Sequence, residues 1–137
     1  MLFNFLKRKK KSSVTETALS EKDIKWNKMW ELWANGEIES PYAELMEYHS
    51  EINNGGHSQY FSLITDNGDA EAAISALSEI LPQFLSENIR KAYQAHLILE
   101  QDDSDENAES TMRKCDGVFF ENEHLITKIL EAFSLNF

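Results

Sequence analysis

Cysteine occurs once in this chain, at Cys115, so an internal disulfide is excluded and a reducing compartment, the cytoplasm, is expected. Two prolines and five glycines supply too little punctuation for a sandwich of many short strands, and they favour long helices. Valine and threonine are too scarce for a large sheet. No apolar run approaches the length of about 18 residues that a membrane-spanning helix requires. Cations are missing over long stretches: no lysine or arginine lies between Met29 and Leu85, and none between Ala92 and Met112. Phosphate contacts need cations, so direct nucleic-acid binding is not expected.

What is present is acidic and apolar. The 137 residues carry 13 basic and 24 acidic groups, net −11, and 42% are hydrophobic. That suits one globular domain able to bury about two thirds of its unfolded surface. The charge is uneven. "MLFNFLKRKKK" at the start has five basic and no acidic residues, which leaves net −16 for the remainder. A secretory signal places its charge before the apolar segment, and here the order is reversed. Residues 1–18 therefore read as a flexible basic and apolar tail with a polar linker. Contact of Leu2, Phe3, Phe5 and Leu6 with an anionic membrane surface is the less favoured alternative. Residues 19–137 form the acidic body, which would attract basic partners at a rate that salt suppresses. The bland reading of this acidity is a solvated surface that keeps the protein soluble.

Within the body the pattern is helical. Ser20 is a candidate N-cap, and Trp26, Met29, Trp30 and Trp33 share one face, read as core rather than as a stacking platform. Asn35-Gly36 ends that helix. Ser40 and Pro41 open the next, with Tyr42, Leu45, His49 and Ile52 on one face and Glu44, Glu47 and Glu51 on another. "NNGG" then stops it. Gly55 suits φ > 0 and Gly56 suits close packing, and one of the two is expected at positive φ. "HSQYFSLI" restarts as a short helix with Tyr60, Phe61 and Ile64 turned inward. Gln59 and Asn53 or Asn54 are expected to bond the exposed backbone of this corner. Asp69 caps an alanine-rich helix limited by Pro82, and Ser86 or a neighbour opens another through Ile89, Tyr93, His96 and Leu97. "QDDSDENAE" reads as an acidic loop, and "STMRKCDGVFF" as a short helix or turn around Gly117. Asn122 caps a last helix with Ile126, Ile129, Leu130 and Phe133. The expected fold is all-α, a single compact domain of about six helices.

The segment "EINNGGHSQYFSLITDNGDAEAAISALSEI" resembles the C-terminal domain of the DNA-mimic protein 19 family, a group of largely uncharacterised bacterial proteins. The features that carry the likeness are Asn54, Gly55, Gly56, Gln59, Tyr60 and Phe61, followed by Ala72, Ala76, Leu77 and Ile80. "RKCDGVFFENEHLITKILEAF" is similar to the family's closing part, an aspartate and an aromatic pair before an amphipathic helix. An asparagine usual soon after the aromatic pair is absent, with Ser62, Leu63 and Ile64 in its place. The resemblance covers roughly residues 40–135 and implies an all-helical fold. A DNA-mimic activity is its further implication.

No catalytic, cofactor or metal site is expected. Asp103, Asp105 and Asn107 imitate the first positions of a calcium loop, but Ala108 replaces the required glycine and Lys114 the required glutamate. The four histidines lack metal-ligand spacing. His57 could serve as a general base, but no nucleophile motif stands beside it, and a capping or surface histidine is the preferred reading. Lys114 could lower the pKa of Cys115, yet a lone cysteine among aromatics reads as core. Three function classes remain. The first is an acidic, non-enzymatic interaction protein binding a basic partner, a DNA-binding protein among the candidates. Its binding residues would be Glu44, Glu47 and Glu51, with Asp102, Asp103, Asp105 and Glu106 as a second surface. The second is a helical immunity-type or housekeeping module whose acidity serves solubility. The third is an enzyme with an unrecognised site. A homodimer is open in each case.

Overall fold

In the computed structural model, which describes residues 19–66 and 69–137, Ser20 opens helix α1 (Glu21–Ala34). Its hydroxyl accepts from the backbone N–H of Asp23 at 3.1 Å and donates to the Asp23 carboxylate at 2.9 Å, so a free helix-end donor is satisfied. Gly36, at φ 74°, turns the chain away after α1. Five more helices follow: α2 (Tyr42–Asp66), α3 (Ala70–Ile80), α4 (Gln83–Gln101), α5 (Glu106–Glu121) and α6 (Glu123–Ser134). No strand occurs among the described residues, and the fold is all-α. The tail and linker over residues 1–18 lie outside the described residues.

Helix α2 is the hub, with contacts to α3, α4, α5 and α6. It is broken in the middle, at Gly55 and Gly56. Tyr48 and Tyr60 show what the break does. Twelve positions apart on a straight helix they would be separated by about 18 Å. Their ring centroids are 5.0 Å apart, so the break bends α2 enough to bring side chains of its two halves together. Tyr48, Tyr60, Phe61 and Phe119 are all fully buried around this bend.

The most extensive helix pair is α4 with α5, joined by the short turn 102–105. On α4, Leu85, Ile89, Ala92 and His96 are buried at offsets 0, 4, 7 and 11. On α5, Ala108, Met112, Cys115 and Phe119 repeat the same offsets. Two such stripes with small residues in them can meet closely as antiparallel neighbours. Asn88 on α4 donates its amide to the carbonyl of Cys115 at 2.9 Å and fixes their register. This corrects the sequence reading of residues 110–120 as a short helix or turn. Gly117 lies inside a continuous helix, held there by the buried stripe on either side.

Around the hub, α1 lies on α6. Tyr42 stacks on Phe133 with centroids 3.9 Å apart and planes 1° from parallel. Trp33 donates its indole N–H to the Ala43 carbonyl. Trp30 is buried between Trp26 and Trp33, each met edge-on, so the tryptophan stripe is core as read. Asp69 caps α3 through the Ala72 N–H. One cap reading needs correction and one needs refinement. Helix α4 begins directly after Pro82, and Ser86 lies inside it. Asn122 does stand at the N-cap position of α6, but its amide bonds back to the Val118 carbonyl of α5 and makes no side-chain cap bond to α6.

Candidate functional site

The corner of α2 has two faces, a buried clamp and a row of carboxylates. The clamp starts at Gly56, whose backbone (φ 75°, ψ −173°) lies in a region that only glycine occupies readily. Gly55 stays at φ −165°, so the positive φ belongs to the second glycine of the pair. The helix after the corner needs a cap, and Asp116 of α5 provides it. Its Oδ1 accepts from the His57 backbone N–H at 2.8 Å and lies 2.7 Å from His57 Nδ1. On the other side of the ring, Nε2 lies 2.7 Å from the hydroxyl of Tyr48. An ionised carboxylate only accepts, so Nδ1 carries a proton, and the Tyr48 hydroxyl pairs with Nε2.

This chain of tyrosine, histidine and aspartate has the connectivity of a proton relay, with its Asp116 end partly exposed and its His57–Tyr48 end buried. His57 is 0% and Tyr48 1% exposed, so no substrate atom meets the bond between them. Burial, reinforced by nearby Tyr60, Cys115 and Asp116, raises the Tyr48 phenol well above its ordinary value, opposite to an activated nucleophile. The triad ties both halves of α2 to α5. His57 is therefore no surface histidine, and it receives a cap where it was read as one that gives it. Gln59 does not bond the corner backbone; it donates to Glu51 at 3.2 Å. Asn53 donates to the His49 carbonyl and to Glu123, which links α2 to α6. Tyr48 and Asp116 were missed as partners. The sequence signal was the aspartate of "KCDG", whose meaning depends on what faces it across the fold.

Glu44, Glu47 and Glu51 do line one side of the first half of α2, but each is partly buried. Glu44 accepts from the Ser40 hydroxyl on Oε2 at 3.0 Å, while its Oε1 is buried with no hydrogen-bond partner among the described residues. Glu47 is held above the ordinary carboxylate value, first by burial and then by the charges of Glu51 and Glu44. No ion pair involves any of the three among the described residues. Tyr60 is 0% exposed, and its hydroxyl also lacks a hydrogen-bond partner among the described residues. Burial and then Glu47 and Glu44 raise its pKa.

The second acidic group is built differently. Asp102 accepts from the backbone and the hydroxyl of Ser104 at 3.1 and 2.6 Å, which lowers its pKa. Asp105 caps α5 through the Ala108 N–H at 2.9 Å. Both carboxylates thus serve the turn, while Asp103 and Glu106 are exposed. This turn lies about 16 Å along α5 from Asp116, and no hydrogen bond or ion pair joins it to the glutamate row among the described residues. Nearby, the groove between α4 and α5 is lined by Arg90 and Lys91 together with Glu87 and Asp105, so its charge is mixed. Cys115 lies on the buried stripe of α5, and burial followed by Asp116 raises its thiol pKa, against a weaker opposing effect of Lys91.

Residues 37–136 match the family model described as DMP19-like protein, which spans both halves of the corner, the clamp and the acidic turn. No curated protein and no solved structure matches the chain. No helix among the described residues is long and apolar enough to cross a membrane.

Proposed function

This chain belongs to the DMP19-like family, and we propose that it is a non-enzymatic interaction protein that binds the basic face of a DNA-binding protein by presenting carboxylates in place of phosphates. The observation that carries the reading is the row Glu44, Glu47 and Glu51. Three carboxylates over two helical turns pair with no cation among the described residues, and Glu47 feels the charge of the other two. Three charges over about 10 Å of helix are somewhat sparser than one strand of duplex DNA, which carries one every 3.4 Å or so. A surface that served solubility alone would gain nothing from holding like charges together and half-buried, since repulsion and desolvation both cost stability.

The test is competition. A protein captured from a lysate of the source organism is assayed for duplex DNA binding with increasing amounts of this chain. The wild type is expected to displace the DNA, with an affinity falling steeply between about 50 and 200 mM salt. Replacing Glu44, Glu47 and Glu51 by glutamine is expected to weaken displacement by about tenfold or more, each lost charge pair contributing through charge-assisted bonds. Glutamine is the right change because all three side chains are partly buried, and reversal to lysine would bury a cation. Displacement that ignores both salt and the triple change would overturn the reading.

A further inference from the structure

We propose that the groove between α4 and α5 is the contact surface of a symmetric homodimer, in which the grooves of two copies face each other, running in opposite directions about a two-fold axis. The groove encloses about 700 Å³ and is lined by Arg90 and Lys91 towards one end and by Asp105 at the other. The helix pair sets this polarity. Asn88 bonds the Cys115 carbonyl across it and the turn 102–105 joins it, so α4 and α5 run antiparallel and Asp105 lies level with Ile98. Lys91 and Ile98 are separated by about 10 Å along α4. Between the ends the floor is Ala95 and Ala108, 2% and 3% exposed, and Ile98 stands 47% exposed at the rim. The small residues let a neighbouring helix approach, and Ile98 supplies the apolar area for it to cover.

The charge pattern selects the occupant. Lys91 makes no ion pair or hydrogen bond among the described residues, and Arg90 has a 3.5 Å contact with Glu71 in which both side chains are at least half exposed. Glu87, at the same end, accepts from Gln83, and this end keeps an excess of positive charge. The other end is acidic, because Asp105 is followed by Glu106 and preceded by Asp102 and Asp103. A purely basic partner would meet repulsion at the first end and a purely acidic one at the second. A surface of opposite charge at its two ends complements itself after half a rotation. A two-fold axis near Gln94 and Ala95 sets Lys91 of each copy, about 6 Å along α4 from the axis, opposite Asp105 of the other. Ile98 then meets the aliphatic stem of the other copy's Lys91. No residue of α2 lines the groove, so the pairing does not consume the glutamate row and stands apart from the function above.

Sedimentation velocity on the full chain, from about 1 µM to 1 mM, reads the association. The wild type is expected to reach twice the 15.8 kDa of one chain and to stop there, because a two-fold contact closes on itself. Gln94 tests the axis. Gln94→Glu and Gln94→Lys each bring like charges face to face and are expected to weaken the dimer by about tenfold or more, while an equimolar mixture of the two associates again. Position 94 is exposed, so both variants should melt as the wild type does. Lys91→Gln is expected to weaken the dimer by about tenfold, since two charge pairs are lost per dimer. Asp105→Ser, which keeps a capping oxygen on α5, should do the same, and the double variant should lose no more than either single one. A wild type that stays monomeric over the whole range would overturn the proposal, as would association that both Gln94 variants leave intact or that their mixture fails to restore. Growth beyond the dimer would replace it with a head-to-tail contact. Association that disappears with residues 1–18 and persists in the Gln94 variants would assign it to the tail and overturn the groove.

Discussion

Asp116 occupies the space that a side chain on Gly56 would need. A Cβ there would lie 2.6 Å from Asp116 Oδ2, and the same carboxylate caps His57 through Oδ1. One aspartate on α5 therefore both requires the glycine and secures the helix that follows it.

Gly56→Ala is expected to destabilise the protein by roughly 2–4 kcal/mol, above the roughly 1 kcal/mol of an ordinary glycine replacement. Equilibrium urea unfolding measures it. Combining the change with Asp116→Ala should recover the steric part of the penalty and not the backbone part. A loss below 1 kcal/mol would show that the corner tolerates a side chain.

The clamp should behave as a unit. Asp116→Ala leaves two donors of buried His57 without acceptors, an expected cost of about 2–4 kcal/mol, and Tyr48→Phe leaves Nε2 unpaired for about 1–2 kcal/mol. Because the groups share one ring, the double variant is expected to lose less than the two single losses added together. Strict additivity in a double-mutant cycle would mean that the contacts are independent.

Gly117 offers the opposite test. It lies inside α5, not at positive φ, and a Cβ there meets nothing within 4 Å. Gly117→Ala should stabilise the protein by about 0.5–1 kcal/mol through helix propensity. Destabilisation in the same urea assay would contradict the continuous helix.

Glu47→Gln separates stability from binding. The folded state holds the Glu47 pKa above 4.5, so at neutral pH its ionised form costs stability. Its partial exposure screens that cost to about a few tenths of a kcal/mol. The variant is expected to melt slightly higher and to bind a basic partner more weakly. A lower melting temperature would mean that the carboxylate stabilises the fold.

The pH response should carry the mark of His49. Burial lowers its pKa below 6.5, and the Glu123 carboxylate 3.0 Å away opposes this without overcoming it. The folded protein then binds fewer protons than the unfolded chain in that range. Stability is complete above pH 6.5 and is lost as the pH falls towards the depressed folded value. His49→Gln is expected to flatten this part of the profile in melting experiments from pH 7.5 to 5. An unchanged profile would assign the pH dependence to other groups.

The sequence by itself determined the helices whose signals are local. Ser20 and Asp69 cap because their side chains reach backbone a turn away, and Ile126 with Leu130 mark a buried face because one helix carries both. The glycine corner was legible for the same reason, since left-handed backbone is a property of one residue. Helix α5 was obscured by Gly117 and by an acidic start, though its stripe of Ala108, Met112, Cys115 and Phe119 was present. Tertiary structure alone decided that Gly56 and not Gly55 takes the positive φ, because Asp116 approaches that position from sixty residues away. It alone buried His57, and it alone turned three carboxylates that looked solvent-facing into a half-buried row. Burial and electrostatics depend on which helices meet, and periodicity within one helix does not contain that information.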